Sequence, residues 1–132
     1  MPTTDEVLMG KKILIVDDSP TILMSLRGML ERAGHAVTDA ANGEAAVSVL
    51  KGGLKPDLVI TDFHMGAMDG IELVREVRKI ASLRFIPVLM VTTESQQSKR
   101  MEAKAAGATG WLVKPVQPEA LLQVIRQVVP GA

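Results

Sequence analysis

Short apolar runs that end in polar residues recur along this chain, and they constrain its fold more than any other feature. Four such runs cover residues 13–16, 58–61, 88–91 and 110–113. Short, mostly branched apolar runs are typical of strands buried on both faces, as in a parallel sheet. Ligands of an open parallel sheet bind at the carboxyl ends of its strands, so the polar residues after these runs are the candidates for chemistry.

Helical patterns lie between these runs. Ser19 and Pro20 predict the start of a first helix, because serine caps helices well and proline suits the first helical position. Asp69 is expected to cap a third helix, and Pro118 to start the fifth. Five strands thus alternate with five helices, which predicts one doubly wound α/β domain over residues 11–132, with a parallel sheet and helices on both faces. A flexible tail is expected over residues 1–10. The strands are expected near residues 12–16, 35–39, 57–61, 86–91 and 109–113.

The fourth helix, expected over residues 95–106, differs from the others because it is mostly polar and charged. Met101 and Ala105 are nearly its only expected apolar contacts. A helix with so little apolar surface gains little stability from packing. We therefore expect this helix to be the element that moves.

Bulk composition excludes several classes of function. The 15 basic and 15 acidic residues cancel, and aromatic residues make up only 2% of the chain, which leaves neither the basic field nor the stacking surfaces that nucleic acid requires. The chain has no cysteine, so disulfides and thiolate chemistry are impossible. No apolar run approaches the length of a membrane span and no signal peptide is evident, so we expect a cytoplasmic protein without membrane insertion.

Three carboxylates are expected to meet if the first and third strands are neighbours. These are Asp17 and Asp18 after the first strand and Asp62 after the third. Like charges at short range repel, so either a proton is retained or a cation lies among them. Oxygen ligands without histidine or cysteine favour a hard ion such as Mg²⁺. The alternative is that Asp17 and Asp18 only cap the helix at Pro20.

Two further polar side chains follow the later strands. A hydroxyl such as that of Thr92 can hydrogen-bond a phosphoryl oxygen, and an ammonium group such as that of Lys114 can pair with its charge. Either residue alone would more often be an ordinary surface or turn residue. Their joint position at successive strand ends is what predicts a site.

The combined set resembles the receiver domain of bacterial two-component response regulators. It consists of Asp17-Asp18, Asp62, Met68-Asp69-Gly70, Thr92 and Lys114-Pro115, and the intervals between these elements also match that family. The resemblance covers roughly residues 11–129. With no output domain following, the chain is most similar to stand-alone, CheY-like regulators of the chemotaxis type. The resemblance implies a flavodoxin-like (βα)₅ fold with strand order 2-1-3-4-5.

The resemblance also implies a role for each site residue. Asp62 would accept a phosphoryl group from the phosphohistidine of a sensor histidine kinase or phosphotransfer protein. Mg²⁺ would be bound directly by Asp18, Asp62 and the backbone carbonyl of His64, and through water by Asp17. Thr92 and Lys114 would contact the phosphoryl group, and the Lys114-Pro115 bond would be cis.

The expected protein is thus a phosphoacceptor rather than an enzyme with a separate substrate, although it would assist its own phosphorylation and dephosphorylation. Trp111 occupies the aromatic switch position of the family. The downstream target is expected to bind a face formed by the fourth helix, the fifth strand and the fifth helix.

Two positions depart from the family, and two more lie where the family varies. Gly66 stands where the family usually has proline, so the loop after Asp62 is expected to be more flexible. Trp111 is larger than the usual tyrosine or phenylalanine, and the alternative to switching is that it simply packs against the fourth helix. His64 and Glu94 lie where the family tunes the rate of dephosphorylation, and we expect both to border the phosphoryl site.

Two other functions compete with this interpretation. A phosphatase of the haloacid-dehalogenase type also uses an aspartyl phosphate, but it requires Asp-x-Asp after the first strand, whereas Asp17 and Asp18 are adjacent. A receiver fold that binds a partner without phosphorylation is the second. Dinucleotide binding is disfavoured, because no G-x-G-x-x-G follows the first strand.

Overall fold

Five strands alternate with five α-helices in the computed structural model, which describes residues 10–132. The strands are β1 (Lys12–Val16), β2 (Ala36–Ala40), β3 (Leu58–Thr61), β4 (Val88–Thr92) and β5 (Gly110–Val113). The helices are α1 (Pro20–Arg32), α2 (Gly43–Lys51), α3 (Gly70–Lys79), α4 (Gln97–Ala106) and α5 (Pro118–Val128), with a short 3₁₀ helix, Ala81–Leu83, after α3. Apart from Gly10, the tail expected over residues 1–10 lies outside the described residues.

All strand pairs are parallel, and the sheet has the order β2-β1-β3-β4-β5. The order 2-1-3-4-5 is therefore confirmed. Val16 pairs with Thr61, so β1 and β3 end at the same level of the sheet. The strand order reverses between these two strands, which is where a sheet of this kind opens a crevice for ligands.

The core consists of two layers, one on each face of the sheet. Alternate residues of β1 point to opposite faces, with Leu14 and Val16 in one cluster and Ile13 and Ile15 in the other. The first cluster includes buried residues of α2 and α3, and the second includes those of α1 and α5. Helices on both faces of the sheet are thus confirmed, and β1, β3 and β4 are held rigidly in the middle.

The fourth helix is packed by a different residue from the two we expected. Ala103 is its one buried residue, whereas Met101 is 62% exposed and Ala105 is also exposed. The expectation for Met101 and Ala105 was wrong because it was based on apolar character alone, whereas the helix turns Ala103 into the hydrophobic cluster that also contains buried residues of α3. The expectation of a weakly packed helix is confirmed.

The first three helices begin at side-chain caps, and the last two do not. Ser19, Asn42 and Asp69 each accept a hydrogen bond from a backbone N–H of the first turn. The residues before α4 and α5 are Gln96 and Gln117, and neither makes such a bond. Across the described residues, 10–132, no helix combines the length and the apolar character needed to cross a membrane.

Candidate functional site

Asp17 leaves the carboxyl end of β1 and is almost fully buried. Its Oδ1 accepts a hydrogen bond from the backbone N–H of Ser19 at 2.9 Å, and its Oδ2 lies 2.7 Å from Nζ of Lys114. The cap of α1 is the hydroxyl of Ser19, which accepts from the N–H of Ile22. Asp17 and Asp18 therefore do not serve as the helix cap, and Asp18 extends into solvent beside Asp17.

Asp62 leaves the carboxyl end of β3, and its own loop fixes its carboxylate. Oδ1 accepts hydrogen bonds from the backbone N–H groups of Phe63 at 2.6 Å and of His64 at 3.3 Å. Oδ2 lies 3.1 Å from Nζ of Lys114. Beneath it, the buried hydroxyl of Thr61 donates to the carbonyl of Asp62 at 2.9 Å, which holds the backbone at the turn.

Lys114 bridges the carboxylates of Asp17 and Asp62 from the end of β5. Burial alone would lower the pKa of Lys114, but its hydrogen bonds to Asp17 and Asp62 outweigh burial and raise that pKa. Burial would likewise raise the pKa of Asp62, yet hydrogen bonding by the hydroxyl of Thr92 and by Lys114 brings it below its ordinary value. The site therefore holds a charged ammonium against a charged carboxylate. The peptide bond between Lys114 and Pro115 is cis.

The three aspartates come close enough to share a cation. One oxygen from each of Asp17, Asp18 and Asp62 lies within 4.8 Å of the others. All of these donors are carboxylate oxygens, the ligands that Mg²⁺ prefers. Lys114 neutralises only part of the three negative charges, so the donor set fits a divalent cation. The role of the backbone carbonyl of His64 as a ligand stays a prediction.

Thr92 ends β4 and connects the site to the following loop. Its side chain is fully buried, and its Oγ1 accepts a hydrogen bond from the backbone N–H of Glu94 at 3.2 Å. The carboxylate of Glu94 lies 3.1 Å from Nε2 of His64. Glu94 and His64 thus join the loop after β4 to the loop after β3 at the mouth of the site.

Trp111 lies in β5 beside these loops. Its indole Nε1–H donates to the backbone carbonyl of Glu94 at 3.0 Å, and its ring packs at 6.3 Å from the ring of Phe63. Trp111 also lines a groove together with residues of α4. In the structure Trp111 is thus held by Phe63 and Glu94, and its two alternative roles, packing against the fourth helix and a change of orientation on phosphorylation, stay predictions.

Asp69 and Gly70 lie at the start of α3, which packs closely against the loop of Asp62. The side chain of Asp69 accepts from the N–H of Glu72 at 2.8 Å, and the side chain of Glu72 accepts from the N–H of Asp69 at 3.0 Å, which forms a capping box. A Cβ atom at Gly70 would lie 2.5 Å from the carbonyl oxygen of Asp62 and 2.6 Å from Sδ of Met90. The glycine is therefore required by close approach, and the predicted cap at Asp69 is confirmed.

Gly66 adopts a φ of +88°, in the left-handed region. Proline is restricted to a φ near −65°, so it cannot take this conformation. The loop after Asp62 therefore follows a path that the usual proline of the family would not permit. Gly66 thus differs from the family in its backbone conformation. The greater flexibility that we expected for this loop is a separate property, and it stays a prediction.

All the site residues expected from the sequence meet at one edge of the sheet, but two neighbours were missed. The ring of Phe63 is buried, makes an edge contact with His64 at 4.6 Å, and lies 5.6 Å from Nζ of Lys99. An aromatic residue directly after Asp62 was a signal for the first of these. Nothing in the sequence marked Lys99, because its contact depends on where α4 lies.

Comparison with known proteins places this geometry in a family. The family description "Response regulator receiver domain" matches residues 13–126. Protein PilH of Pseudomonas aeruginosa is 42% identical over 120 residues, which make up 91% of this chain and 98% of that protein. Chemotaxis protein CheY of Thermotoga maritima is 37% identical over 121 residues, with 91% and 98% covered.

Solved structures agree with the sequence comparison. Chemotaxis protein CheY4 of Vibrio cholerae superimposes with a TM-score of 0.87 at 42% identity, covering 91% of this chain and 99% of that one. The receiver domain of the sensor histidine kinase PA1611 of Pseudomonas aeruginosa, solved with a magnesium ion coordinated in its active-site cleft, gives a TM-score of 0.82 at 28% identity, covering 90% and 97%. On the match of family, relatives and fold, this chain belongs to the response regulator receiver domain family.

Proposed function

We propose that this chain is a phosphorylation-switched signalling protein in which Asp62 is the phosphoryl acceptor. The observation that carries the proposal is the ammonium of Lys114, after β5, held 3.1 Å from the carboxylate of Asp62, after β3, and 2.7 Å from that of Asp17, after β1. Receiver domains are signalling proteins, and their family acts with histidine kinases or phosphotransfer proteins. The donor here is accordingly a protein phosphohistidine.

The reaction is a transfer between two nucleophiles. A carboxylate oxygen of Asp62 forms a bond to phosphorus, the bond from phosphorus to the donor imidazole nitrogen breaks, and the imidazole leaves with the electron pair. Such transfers depend on positioning and charge stabilisation more than on covalent help from the protein. The backbone N–H groups of Phe63 and His64 position the carboxylate, and Lys114 stabilises charge on the phosphoryl oxygens.

A bound Mg²⁺ would add positive charge beside the phosphoryl oxygens and orient them. Asp18 and Asp62 would hold it directly. Asp17 is the one fully buried member of the three, which favours contact through water for this residue. The magnesium ion in the receiver domain of the kinase PA1611 supports this assignment.

The switch would begin at Thr92 and reach the surface through Glu94. The new acyl phosphate carries about −1.5 to −2 charge next to the hydroxyl of Thr92, in place of the single negative charge of the Asp62 carboxylate. Movement of Thr92 toward that charge pulls on the N–H of Glu94, whose carbonyl accepts from Trp111. The hydrogen-bonded path therefore runs from the acceptor to the side chain that borders α4.

The surface that responds is the one formed by α4, β5 and α5. A groove of about 690 Å³ lies between α4 and β5, and it is bordered by Trp111 and by the cationic side chains of Arg100 and Lys104. Met101 on α4 and Val113 on β5 are large exposed apolar residues. Apolar and cationic groups that flank a groove suit a protein partner, so we assign the downstream target to this face. A chemotaxis pathway and a cytoplasmic location stay predictions.

The acceptor is tested by mass and fluorescence together. Protein with Mg²⁺ is treated with a small phosphodonor, and with fluoroberyllate as a mimic, while the emission of Trp111, the only tryptophan, is followed. We expect the mass to rise by one phosphoryl group and Asp62→Asn to abolish the rise. Continuous hydrolysis of a phosphate ester would instead indicate a phosphatase. If the protein responded to neither Mg²⁺ nor the donor, the result would favour a module that binds its partner without phosphorylation.

The tuning role of His64 and Glu94 is tested by the lifetime of the phosphorylated form. Both residues lie at the mouth of the site and contact each other at 3.1 Å. We expect His64→Ala and Glu94→Ala each to change the rate at which labelled phosphate is lost. Glu44→Ala, an exposed acidic residue on α2, is the control. Lifetimes equal to that of the unmodified sequence in both variants would contradict this role.

A further inference from the structure

The two ends of α4 are attached to the protein very differently. We infer that Arg78 is a positioning residue that fixes the carboxyl end of α4, so that the helix pivots about this end. The inference rests on the proposed function, because it concerns the helix that would respond to Asp62. It assigns a role to a residue outside the phosphoryl site.

Arg78 lies in the last turn of α3 and binds three backbone carbonyls. Its Nε and Nη2 donate to the carbonyl of Gly107 at 3.3 and 2.7 Å, just after the end of α4. Its Nη1 donates to the carbonyls of Ile86 at 2.6 Å and Leu83 at 3.3 Å, just before β4. One guanidinium thus joins the end of α4 to the entry of β4.

Gly107 is shaped to receive this guanidinium. Its φ is +112°, and it ends α4 with its own N–H bonded back to the carbonyl of Lys104. A Cβ atom at this position would lie 3.0 Å from Nε of Arg78. Within residues 10–132 no carboxylate forms an ion pair with Arg78. Its hydrogen bonds are made to backbone carbonyls instead.

The amino end of α4 has much weaker attachments. Gln96 provides no side-chain cap, and the residues of the first turn are largely exposed. Lys99 lies 3.8 Å from Glu102, and Glu102 lies 3.8 Å from Arg75 of α3, both in partly exposed pairs. Exposed ion pairs of this kind contribute little to stability.

The amino end is also the end next to the phosphoryl reader. The loop of Thr92 and Glu94 leads directly into α4, while the carboxyl end leads into β5 through Gly107. A shift of Glu94 therefore displaces the first turn, and the bonds from Arg78 keep the last turn in place. The helix changes its angle instead of sliding, and the groove beside Trp111 changes its width.

Hydrogen exchange tests the pivot without any phosphorylation. We expect the amides of Gly107 and Ala108 to exchange at least tenfold more slowly than those of Lys99 and Arg100 in the first turn of α4, in spite of lying at a helix end. Arg78→Lys, which keeps the charge but not the planar fork, should accelerate Gly107 and Ala108 selectively. Lys79→Met, which removes an exposed cation one residue along the same helix, is the matched control. Equal exchange at both ends, or no acceleration in Arg78→Lys, would overturn the inference.

The response to phosphorylation supplies the second readout. In Arg78→Met and Arg78→Lys we expect Mg²⁺ binding and phosphoryl incorporation at Asp62 to persist, with the fluoroberyllate-induced change in Trp111 emission at least halved. A residue that only adds stability would lower the melting temperature and leave that change intact, and this result would contradict the pivot. If the unmodified sequence takes up no phosphoryl group, the proposed function fails, whereas the exchange experiment still decides the role of Arg78.

Discussion

Lys114 sets the balance of charge among the three aspartates. Its ammonium contacts both Asp17 and Asp62, while Asp18 is left to solvent. Both carboxylates that it contacts are largely shielded from water, so their repulsion is poorly screened. The residue therefore contributes to the folded state as well as to the proposed chemistry.

We expect Lys114→Met to lower the free energy of unfolding by about 3 kcal/mol, because it leaves Asp17 buried without its cationic partner. Urea unfolding in the presence of a chelator measures the loss. Excess Mg²⁺ should restore more stability to Lys114→Met than to the unmodified sequence, since the ion binds only the folded site and the variant site is more negative.

Lys79→Met is the control for that experiment. Lys79 also contacts a carboxylate, that of Glu76 at 2.9 Å, but on the surface. Its removal should cost less than about 1 kcal/mol. If the two variants lost equal stability, or if Mg²⁺ gave Lys114→Met no advantage, the account of Lys114 as the partner of a buried charge would be wrong.

Gly70 shows how strongly packing beneath the site is constrained. Alanine is normally favoured over glycine in a helix by about 1 kcal/mol. At Gly70 the added Cβ would collide with the carbonyl of Asp62 and with Met90, and overpacking of this kind costs about 1 to 3 kcal/mol. We therefore expect Gly70→Ala to lower the urea midpoint and to reduce the stabilisation that Mg²⁺ gives against urea.

Gly28, inside α1, is the matched position for that test. The nearest atom to a Cβ there is the flexible end of Arg32 at 3.2 Å. Gly28→Ala should be neutral or stabilising by up to about 1 kcal/mol. Equal effects of the two substitutions would show that helix propensity, and not the contact with Asp62, decides the outcome at Gly70.

The residues that could be found from the sequence are those that end a strand. Asp17, Asp62, Thr92 and Lys114 each follow an apolar run, and parallel strands bring such positions together. Arg78 could not be found this way, because its partners are backbone carbonyls from two distant segments. Hydrogen bonds to the main chain leave no pattern in the identity of the residues that accept them.

At the scale of elements, α4 is the helix that local sequence supports least. The sequence indicated its weak packing correctly, but it did not show that Ala103 would be the residue turned inward. The choice of buried face depends on how α4 packs on the hydrophobic cluster that it shares with α3, which is a tertiary property. The absence of a side-chain cap at Gln96 adds to the weakness of its first turn.

A serine at position 96 should strengthen that first turn. Its hydroxyl can accept from a backbone N–H group of the first turn of α4, as Ser19 does for α1. We expect Gln96→Ser to raise the free energy of unfolding by about 0.5 to 1 kcal/mol in urea. Under the pivot mechanism it should also slow hydrogen exchange at Lys99 and Arg100.

Gln117→Ser at the start of α5 is the comparison. Gln117 also lacks a side-chain cap, but α5 buries Leu121 and Ile125 and is held by packing. The global stability of this variant should rise by a similar amount while exchange in α4 is unchanged. A fall in stability in Gln96→Ser would contradict the account in which the missing cap weakens the first turn of α4.

Over the whole molecule, the sheet separates two sets of titratable groups. The aspartates and Lys114 lie at the carboxyl edge of the strands, and His35 lies near the amino edge, before β2. The presence of a parallel sheet followed from the apolar runs, but its strand order came from the family resemblance. Alternation of strands and helices does not encode which strands are neighbours, so the meeting of Asp17 with Asp62 required that order.

His35 makes stability depend on pH without involving the phosphoryl site. Its buried Nδ1 accepts a hydrogen bond from the N–H of Lys11 at 3.1 Å, and burial, together with the charge of Lys11, lowers its pKa below the ordinary 6.5. The unfolded chain therefore binds a proton more readily, so the stabilisation is complete above pH 6.5 and is lost as the pH falls through the lower folded value. We expect the urea midpoint to drop between about pH 7.5 and 5.5, and to drop less in His35→Asn, which keeps an acceptor but does not titrate. His64 is common to both proteins, so the difference between them reports His35 alone, and identical pH profiles would refute its contribution.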